Sequence, residues 1–210
     1  MKKLLLAVLV VSAFSAASFA GEWGVGARIG VGQNDPKGMK VDYDNYGGTF
    51  TKKPEIFSVE GLYEWNVGGK DIDETGTEHK MGFRFGYDIY GKNKLEAAIV
   101  HEEDKKTDAI PLTLYYKNNN GINHVSFYIG GGMTYMRTEM RLSSWLYNLN
   151  NLDGNKWFPH IMVGAEYRFT KLFALGIDVK YNIHAKIEKN GAVIADRSGL
   201  QGLLAARFYF

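Results

Sequence analysis

Hydrophobic and polar residues alternate along nine segments of this chain: residues 23–32, 56–66, 81–90, 95–99, 110–117, 125–135, 160–169, 175–184 and 200–210. In the first of these segments, Trp23, Val25, Ala27, Ile29 and Val31 form one face, and the opposite face is almost entirely glycine. A period of two predicts β-strands whose two faces meet different environments. Clusters of Asn, Asp, Gly and Lys between the segments predict turns and loops.

Two architectures produce such alternation, a soluble sandwich or barrel with an apolar core and a transmembrane barrel with an apolar exterior. The second face of the strands favours the transmembrane barrel, because glycine on a water-exposed strand weakens it without any return in packing. Aromatic residues also gather near the ends of the apolar faces, as in the interfacial girdles of membrane barrels: Trp23, Tyr63, Trp65, Tyr87, Trp157, Tyr167, Phe169, Phe208 and Phe210. We therefore predict an all-β fold, a closed antiparallel up-and-down transmembrane β-barrel.

The first twenty residues have the features of a secretory signal peptide. Lys2 and Lys3 precede an apolar run over residues 4–14, and Ser18 and Ala20 occupy the small-residue positions of a cleavage site. An uncleaved anchor is the alternative, but the run is shorter than the roughly 20 residues that a membrane helix needs. We expect cleavage after Ala20, which leaves residues 21–210 as a single barrel domain.

Composition excludes several functions. Without Lys2 and Lys3, the 25 basic residues of the chain become 23, equal to the 23 acidic ones, so no charge excess predicts nucleic acid as a partner. The chain has no Cys, which excludes disulfides, thiolate metal sites and Cys nucleophiles. We expect no cofactor. The glycines of "GVGARIGVG" lie within a strand rather than before a helix, which argues against a nucleotide-binding loop.

The number of strands follows from parity, because a bacterial barrel with both termini in the periplasm needs an even number. We assign short turns to the periplasmic side, at residues 91–94, 118–122 and 170–173, and longer connections to the outside, at residues 102–109, 142–156 and 186–199. The nine alternating segments make an odd number. Either residues 56–66 are not a barrel strand, giving eight, or residues 39–50 hide another, giving ten. We favour ten strands, with eight as the close alternative.

Charged residues on the second faces are expected to point into the lumen. This set contains Arg28, Glu60, Glu64, Arg84, Asp88, Glu96, Glu166, Arg168, Asp178, Lys180 and Arg207. Side chains can fill the interior of a small barrel, and buried charges there must be paired. We predict a lumen plugged by ion pairs, with no continuous aqueous channel.

Two histidines of neighbouring segments, His160 and His184, could meet near the outer mouth. They could form a metal or acid–base pair, or they could be lumen histidines that hydrogen-bond to Asn182 or water. We favour the second interpretation, because no third metal ligand is placed beside them, and we predict no metal site and no catalytic residue.

The mature chain resembles the small outer-membrane β-barrel superfamily, the opacity-protein, OmpA-barrel and OmpW-like group. The resemblance rests on the signal peptide, on "MGFRFGYDIYGKNKLEAAI" and "VGAEYRFTKLFALGIDVKYNI", and on the terminal "LAARFYF". It implies an integral outer-membrane location in a Gram-negative-type bacterium and contact with outer-membrane lipid. It also implies that barrel-assembly machinery and periplasmic chaperones are partners, with Phe208 and Phe210 as the C-terminal assembly signal.

The resemblance identifies architecture better than activity, and three functions follow. The leading one is a non-enzymatic surface, adhesion or structural role, with a host or environmental ligand at loops 34–53, 67–80, 142–156 and 186–199. Aromatic anchors in these loops would be Tyr43, Tyr46, Phe50, Trp145 and Tyr147. One alternative is a conduit for small hydrophobic solutes, with Met136, Met140 and Met162 near its mouth. The other is an enzyme that acts on lipid or peptide at the outer surface and uses His160 or His184.

Overall fold

The computed structural model describes residues 21–32, 49–50, 55–67, 77–91, 94–96, 100–120, 124–144, 151–189 and 192–210. Within them lie twelve strands: β1 (Gly21–Gly32), β2 (Thr49–Phe50), β3 (Glu55–Asn66), β4 (Thr77–Tyr90), β5 (Lys94–Glu96), β6 (Val100–Asn120), β7 (Val125–Ser144), β8 (Asn151–Arg168), β9 (Phe173–Asn182), β10 (Lys186–Lys189), β11 (Ala192–Asp196) and β12 (Gly199–Tyr209). No helix among the described residues is long and apolar enough to cross a membrane.

Eight of these strands close into an antiparallel barrel. Around the ring the order is β1, β3, β4, β6, β7, β8, β9 and β12, and β12 pairs with β1 again from Gly24–Tyr209 to Gly32–Gln201. The closed antiparallel barrel is confirmed. The favoured count of ten strands is wrong, and the alternative count of eight is correct.

The segment that does not form a barrel strand is a different one from the segment that the sequence pattern suggested. Residues 56–66 do form a barrel strand, β3, which pairs with both β1 and β4. The segment at residues 95–99 does not, because its only described strand, β5, pairs with the end of β6 and with β2 outside the ring. Residues 102–109, expected to be a connection, instead belong to the first half of β6. Their side chains are mostly polar, but their backbone pairs with β7.

The two ends of the barrel can be told apart by the chain termini. Gly21 pairs with Trp65, and the backbone groups of Trp23 and Phe210 bond reciprocally at 2.9 and 3.2 Å, so the first and last described residues lie at one end, the terminal end. The turns after β6 and β8 lie at the terminal end, as expected. Gly91, after β4, lies at the opposite end, the loop end, and Val67, after β3, lies at the terminal end. Both placements contradict our expectations, because β4 pairs directly with β6 and no barrel strand lies between them. β3 and β4 therefore run in the direction opposite to that expected.

The outward face of the barrel is apolar, as predicted. Ile29 and Phe127 are each 63% exposed, and the same face carries aromatic pairs at both ends. Tyr135 and Trp157 pack with ring centroids 5.2 Å apart towards the loop end, and Tyr167 and Phe169 pack at 4.7 Å at the terminal end. Trp157 and Tyr167 are ten residues apart on β8, which at the usual rise and tilt gives a band about 25 Å tall, the height of a bilayer-facing belt.

Glycines on the inward face make room for large side chains from the neighbouring strand. A Cβ added at Gly82 would collide with the ring of Tyr115, and one at Gly164 with the ring of Tyr128. A Cβ at Gly176 would approach the guanidinium of Arg207 to 2.8 Å. The glycine-rich faces therefore complement the tyrosine and arginine side chains that fill this narrow barrel.

Three strands on one side of the ring are longer than the rest. β9 ends at Asn182, opposite His160, whereas β8 begins nine residues earlier, at Asn151, and stays paired to β7 over that length. At about 3.3 Å per residue, the nine residues of β8 beyond this point add roughly 30 Å along the strand at the loop end, and β6 and β7 accompany them. The β10–β11 hairpin contacts this extended wall through β7 and β8.

Candidate functional site

The centre of the lumen holds three arginines and two carboxylates that are almost completely shielded from solvent. Arg207 donates to Glu60 Oε1 at 2.7 Å and, through Nη2, to both oxygens of Asp178 at 2.8 and 2.9 Å. Arg84 Nη1 donates to Asp178 Oδ2 at 2.9 Å, and Arg28 Nε lies 3.1 Å from Glu60 Oε2. Each carboxylate is therefore shared by several arginines, as pairing of buried charge requires.

A second group of ion pairs lies one step towards the loop end. Asp88 accepts from Arg28 Nη2 at 2.9 Å, from Ser58 Oγ at 2.5 Å and from Lys180 Nζ at 2.8 Å. All four side chains are buried. The carboxylate thus neutralises a lysine that would otherwise point into the lumen unpaired.

A third group lies towards the terminal end, centred on Lys117. Its ammonium donates to Glu64 Oε1 at 3.0 Å and to Glu166 Oε1 at 2.8 Å. The hydroxyls of Tyr115 and Tyr209 donate to the same two carboxylates, at 2.8 Å to Glu64 and 2.7 Å to Glu166. Three strands contribute to this group besides β6, namely β3, β8 and β12, so it ties distant parts of the ring together.

At the terminal rim, Arg168 is linked to Glu22 instead of to the central cluster. Arg168 Nη1 donates to Glu22 Oε1 at 2.9 Å, and its guanidinium lies 4.0 Å from the ring centroid of Tyr209. Lys80 approaches Glu22 at 3.3 Å. These side chains keep partial contact with solvent and form the terminal boundary of the charged interior.

The structure brings together most of the charged residues that the sequence pattern assigned to the lumen, with four differences. Lys80, which the predicted set omitted, lies 3.3 Å from Glu22. Glu96 lies on β5, outside the ring, because residues 95–99 are not a barrel strand. Lys117 and Glu22 are part of the ion-pair groups, yet the collected set omitted them. Lys117 alternates with outward Tyr116 and could have been found by reading both faces of that segment fully. Glu22 precedes the segment as it was delimited, so no signal indicated it.

His160 and His184 have different surroundings. His160 is buried, and its two ring nitrogens each lie 2.9 Å from a threonine hydroxyl, Nε2 from Thr113 and Nδ1 from Thr134. His184 follows the end of β9, is exposed, and has a positive φ of 50°. The ring contacts of His160 are thus with threonines and not with His184. Among the described residues, no group of three His, Cys, Asp or Glu side chains could hold a metal ion.

Towards the loop end, the lumen changes from charged to apolar. We call this region the loop-end chamber, formed by barrel residues Ile56, Tyr90, Ala109, Met136, Phe158 and Leu203. Ala185 and Ile187, at the start of the β10–β11 hairpin, complete the same buried cluster. Arg197, after β11, lies over the ring of Tyr90 at 5.5 Å, so both sides of the hairpin contact the chamber.

Phe208 and Phe210 lie on the outward face at the terminal end, each 55% exposed, and Phe208 packs against Phe173 at 5.0 Å. They occupy the position at which a lipid-facing aromatic belt is expected. Their role as an assembly signal stays a prediction.

The model of the outer membrane protein beta-barrel domain family matches residues 6–208. The chain therefore belongs to this family, and it is an integral outer-membrane protein whose apolar outward face meets lipid. By the usual orientation of such barrels, the terminal end faces the periplasm and the loop end faces outward. Comparison with curated protein sequences gives no match.

Solved structures with the same fold include the attachment invasion locus protein Ail of Yersinia pestis, at 16% identity and a TM-score of 0.50, covering 90% of this chain and 97% of Ail. OprG from Pseudomonas aeruginosa has 11% identity and a TM-score of 0.53, covering 91% and 96%. A major outer membrane protein from Thermus thermophilus has 14% identity and a TM-score of 0.53, covering 91% and 100%. At these identities the likeness shows the fold alone, and none of the three names describes an enzyme.

Proposed function

We propose that this barrel has a non-enzymatic role at the cell surface, as an adhesin or a structural protein, and acts through its loop end. The observation that carries the proposal is that ion pairs cross the full width of the lumen. On the outer side of the membrane, a barrel closed in this way offers partners only its loop end.

The crossing contacts join strands on opposite sides of the eight-membered ring. β4 and β9 are four strands apart by either route, and they are linked both by Asp88–Lys180 at 2.8 Å and by Arg84–Asp178 at 2.9 Å. β6 and β12 are likewise opposite, and Lys117 lies 3.3 Å from the Tyr209 hydroxyl. Barrels with an open aqueous pore have about twice as many strands. These contacts favour a solid scaffold over a channel.

The extended wall of β6, β7 and β8 supports a surface role. It stands above the outer aromatic pair Tyr135–Trp157, and its outward face carries the ion pairs Lys106–Asp108 at 2.9 Å and Arg137–Glu139 at 2.7 Å. A rigid paired sheet can hold the connection between β7 and β8 at a distance from the membrane. The proposed aromatic anchors Tyr43, Tyr46, Trp145 and Tyr147 lie outside the described residues, as does the side chain of Phe50.

The test uses cells that display the protein on their surface. Their adhesion to immobilised collagen, fibronectin and laminin, and to bare polystyrene, is measured. Replacing residues 145–150 with a short Gly/Asn turn leaves β7 and β8 intact and is expected to abolish any adhesion. The matched control replaces the terminal-end turn 121–123 and should leave adhesion unchanged. Equal adhesion by both variants, with both barrels folded by heat-modifiability gel, would contradict a role for this loop.

A second candidate is a conduit for small hydrophobic solutes. The apolar loop-end chamber, which includes Met136, favours it, whereas the charged groups below the chamber argue against passage. Met162, expected near the mouth, contacts Arg84 Nη1 at 3.3 Å in the charged half, and the side chain of Met140 lies outside the described part of the chain. Absence of both conductance in planar bilayers and solute uptake by cells would remove this candidate.

The enzymatic hypothesis that uses His160 or His184 needs a histidine with a free ring nitrogen near the substrate. Both nitrogens of His160 contact threonine hydroxyls, and the ring is buried. We infer that His160 is not catalytic. Replacing both histidines with Ala should leave every surface phenotype unchanged, and loss of a phenotype without loss of folding would reopen the enzymatic hypothesis.

A further inference from the structure

Two buried amide side chains at the base of the loop-end chamber each have an oxygen without a partner. Among the described residues, neither Asn182 Oδ1 nor Gln201 Oε1 has a hydrogen-bond partner. Both side chains are fully buried or nearly so. Buried polar atoms are nearly always hydrogen-bonded in folded proteins, so these two acceptors indicate a place where a donor belongs.

The nitrogen atoms of the same amides fix which way the oxygens point. Asn182 Nδ2 donates to the carbonyl of Arg197 at 3.2 Å, and Gln201 Nε2 donates to the Tyr90 hydroxyl at 3.1 Å. The two residues lie on the paired strands β9 and β12, where Asn182 faces Gly199 and Gln201 faces Lys180. They are therefore diagonal neighbours on the inward face, near enough to contact one small group.

The apolar side of the chamber is completed by a segment that can be treated as a separate unit. Ala185 and Ile187 are buried in the chamber, while the next residue, Glu188, is exposed. The hairpin segment is bounded by two residues with positive φ, His184 at 50° and Gly199 at 111°. A change at two such boundary residues could move the hairpin without disturbing the barrel strands.

We propose that the loop-end chamber is a binding site for a small uncharged amphiphile, whose alcohol or amide group donates to Asn182 Oδ1 and Gln201 Oε1 and whose apolar body replaces Ala185 and Ile187. The β10–β11 hairpin is displaced outward when this ligand enters. The site is closed below by the ion-pair groups, so it binds and does not conduct. It is independent of the surface role proposed above, which would stand if this site were absent.

The residues around the chamber indicate the chemical class of the ligand. The chamber walls are Ile56, Met136, Phe158 and Leu203, which accept an apolar body. The guanidinium of Arg197 over Tyr90 disfavours a cationic head, and the two oxygens, being acceptors, disfavour an anionic one. The side chains to be replaced are those of one Ala and one Ile, so close packing suits a body of about five to seven carbons. Cyclohexanol is a suitable probe.

Methionine methyl groups provide internal reporters for a binding experiment. Met136 lines the chamber, Met162 lies in the charged half beside Arg84, and Met133 faces the lipid. In protein labelled with 13C at Met methyls and held in micelles, cyclohexanol should shift the Met136 signal saturably. The Met133 signal should drift only in proportion to alcohol dissolved in the micelle, and the Met162 signal should stay fixed. A Met136 shift as linear as that of Met133 would overturn the site.

The donor group is tested by comparison with cyclohexane, which has the same ring and no hydroxyl. We expect cyclohexanol to bind about 3- to 10-fold more tightly, the usual effect of one net hydrogen bond. The substitution Gln201→Met keeps the length of the side chain and removes its oxygen, so it should reduce this preference without changing cyclohexane binding. Equal affinity of the two probes for the unchanged protein would overturn the role of the two oxygens.

Displacement of the hairpin can be measured by thiol labelling, because the chain contains no Cys of its own. In Ile187→Cys the thiol is buried in the chamber, and in Glu188→Cys it is exposed one residue away. Cyclohexanol should accelerate maleimide labelling of the first variant several-fold and leave the second unchanged. A saturable Met136 shift in the Cys-free protein without faster labelling of Ile187→Cys would overturn the displacement step.

Discussion

The two halves of the lumen are filled by different physical means. At the terminal half, the charged side chain of Arg207 contacts both Glu60 and Asp178, and all three are buried. At the loop-end half, the chamber is filled by apolar side chains, two of them from a hairpin outside the ring. Removing one member of the charged half leaves the buried charges unbalanced, whereas the apolar half can lose the hairpin and keep its wall. We expect the terminal half to determine stability and the loop-end half to tolerate change.

The largest effect is expected from Arg207→Met. This substitution removes the one cation that contacts Glu60, Glu166 and Asp178 together and leaves the buried cluster one positive charge short, and breaking a buried ion pair costs about 3–5 kcal/mol. Urea titration in lipid vesicles, followed by tryptophan fluorescence, should report that loss. The control is Lys106→Met, which removes an exposed member of an ion pair at the loop end and should cost at most about 1 kcal/mol. Equal midpoints for the two variants would contradict the difference between the halves.

A smaller effect is expected where glycine makes room for a lumen tyrosine. In Gly164→Ala the new methyl group collides with the ring of Tyr128, and overpacking of this kind costs about 1–3 kcal/mol. In Gly202→Ala the methyl group meets nothing within 4 Å, so the free energy of unfolding should change by no more than about 0.5 kcal/mol. The same urea titration measures both. A neutral Gly164→Ala would mean that Tyr128 can move without cost.

The smallest effect on global stability is expected in the hairpin. Ile187→Asp places a charge in the apolar chamber and should release β10–β11, making the hairpin sensitive to protease while the free energy of unfolding falls by no more than about 1 kcal/mol. Glu188→Ala, on the exposed side, should change neither. Limited proteolysis of the folded protein, with heat-modifiability of the remaining barrel, separates the outcomes. If Ile187→Asp unfolds the barrel, the hairpin is part of the scaffold.

Much of the barrel wall could be predicted from the sequence, because alternation with period two depends only on which side of a strand meets lipid. Segment 81–90 illustrates this: Phe83, Phe85 and Tyr87 are exposed, and Arg84 and Asp88 are buried. The strand count could not be obtained in this way. The loop-end part of β6 lies beyond the lipid band, where no apolar face is required, so its polar residues carry the signature of a loop although their backbone is paired to β7.

The sequence predicts which charged residues point into the lumen, but it does not predict which of them contact one another. Arg207 and Glu60 lie 147 residues apart, and whether they meet depends on the register of β12 and β3 against β1, the strand between them. Alternation assigns each residue to the interior, but it does not give the position of that residue along the barrel axis. Of the loop-end chamber, only Met136 was anticipated near the mouth. The rest was not, because Ile187 belongs to a hairpin that the pattern assigns to a polar connection.

The pairing of Trp23 with Phe210 has a consequence for how the chain reaches this form. Hairpins such as β7–β8 join neighbours in sequence and can form early, whereas the β1–β12 seam joins the two extremes of the domain. Contacts so distant in sequence are slow to form, since a long loop must be closed before they contribute. Until the seam is joined, both strands have open edges in a bilayer that offers them no hydrogen bonds. The cylinder should therefore close late and cooperatively, with the zippering of this seam as the committed step of insertion.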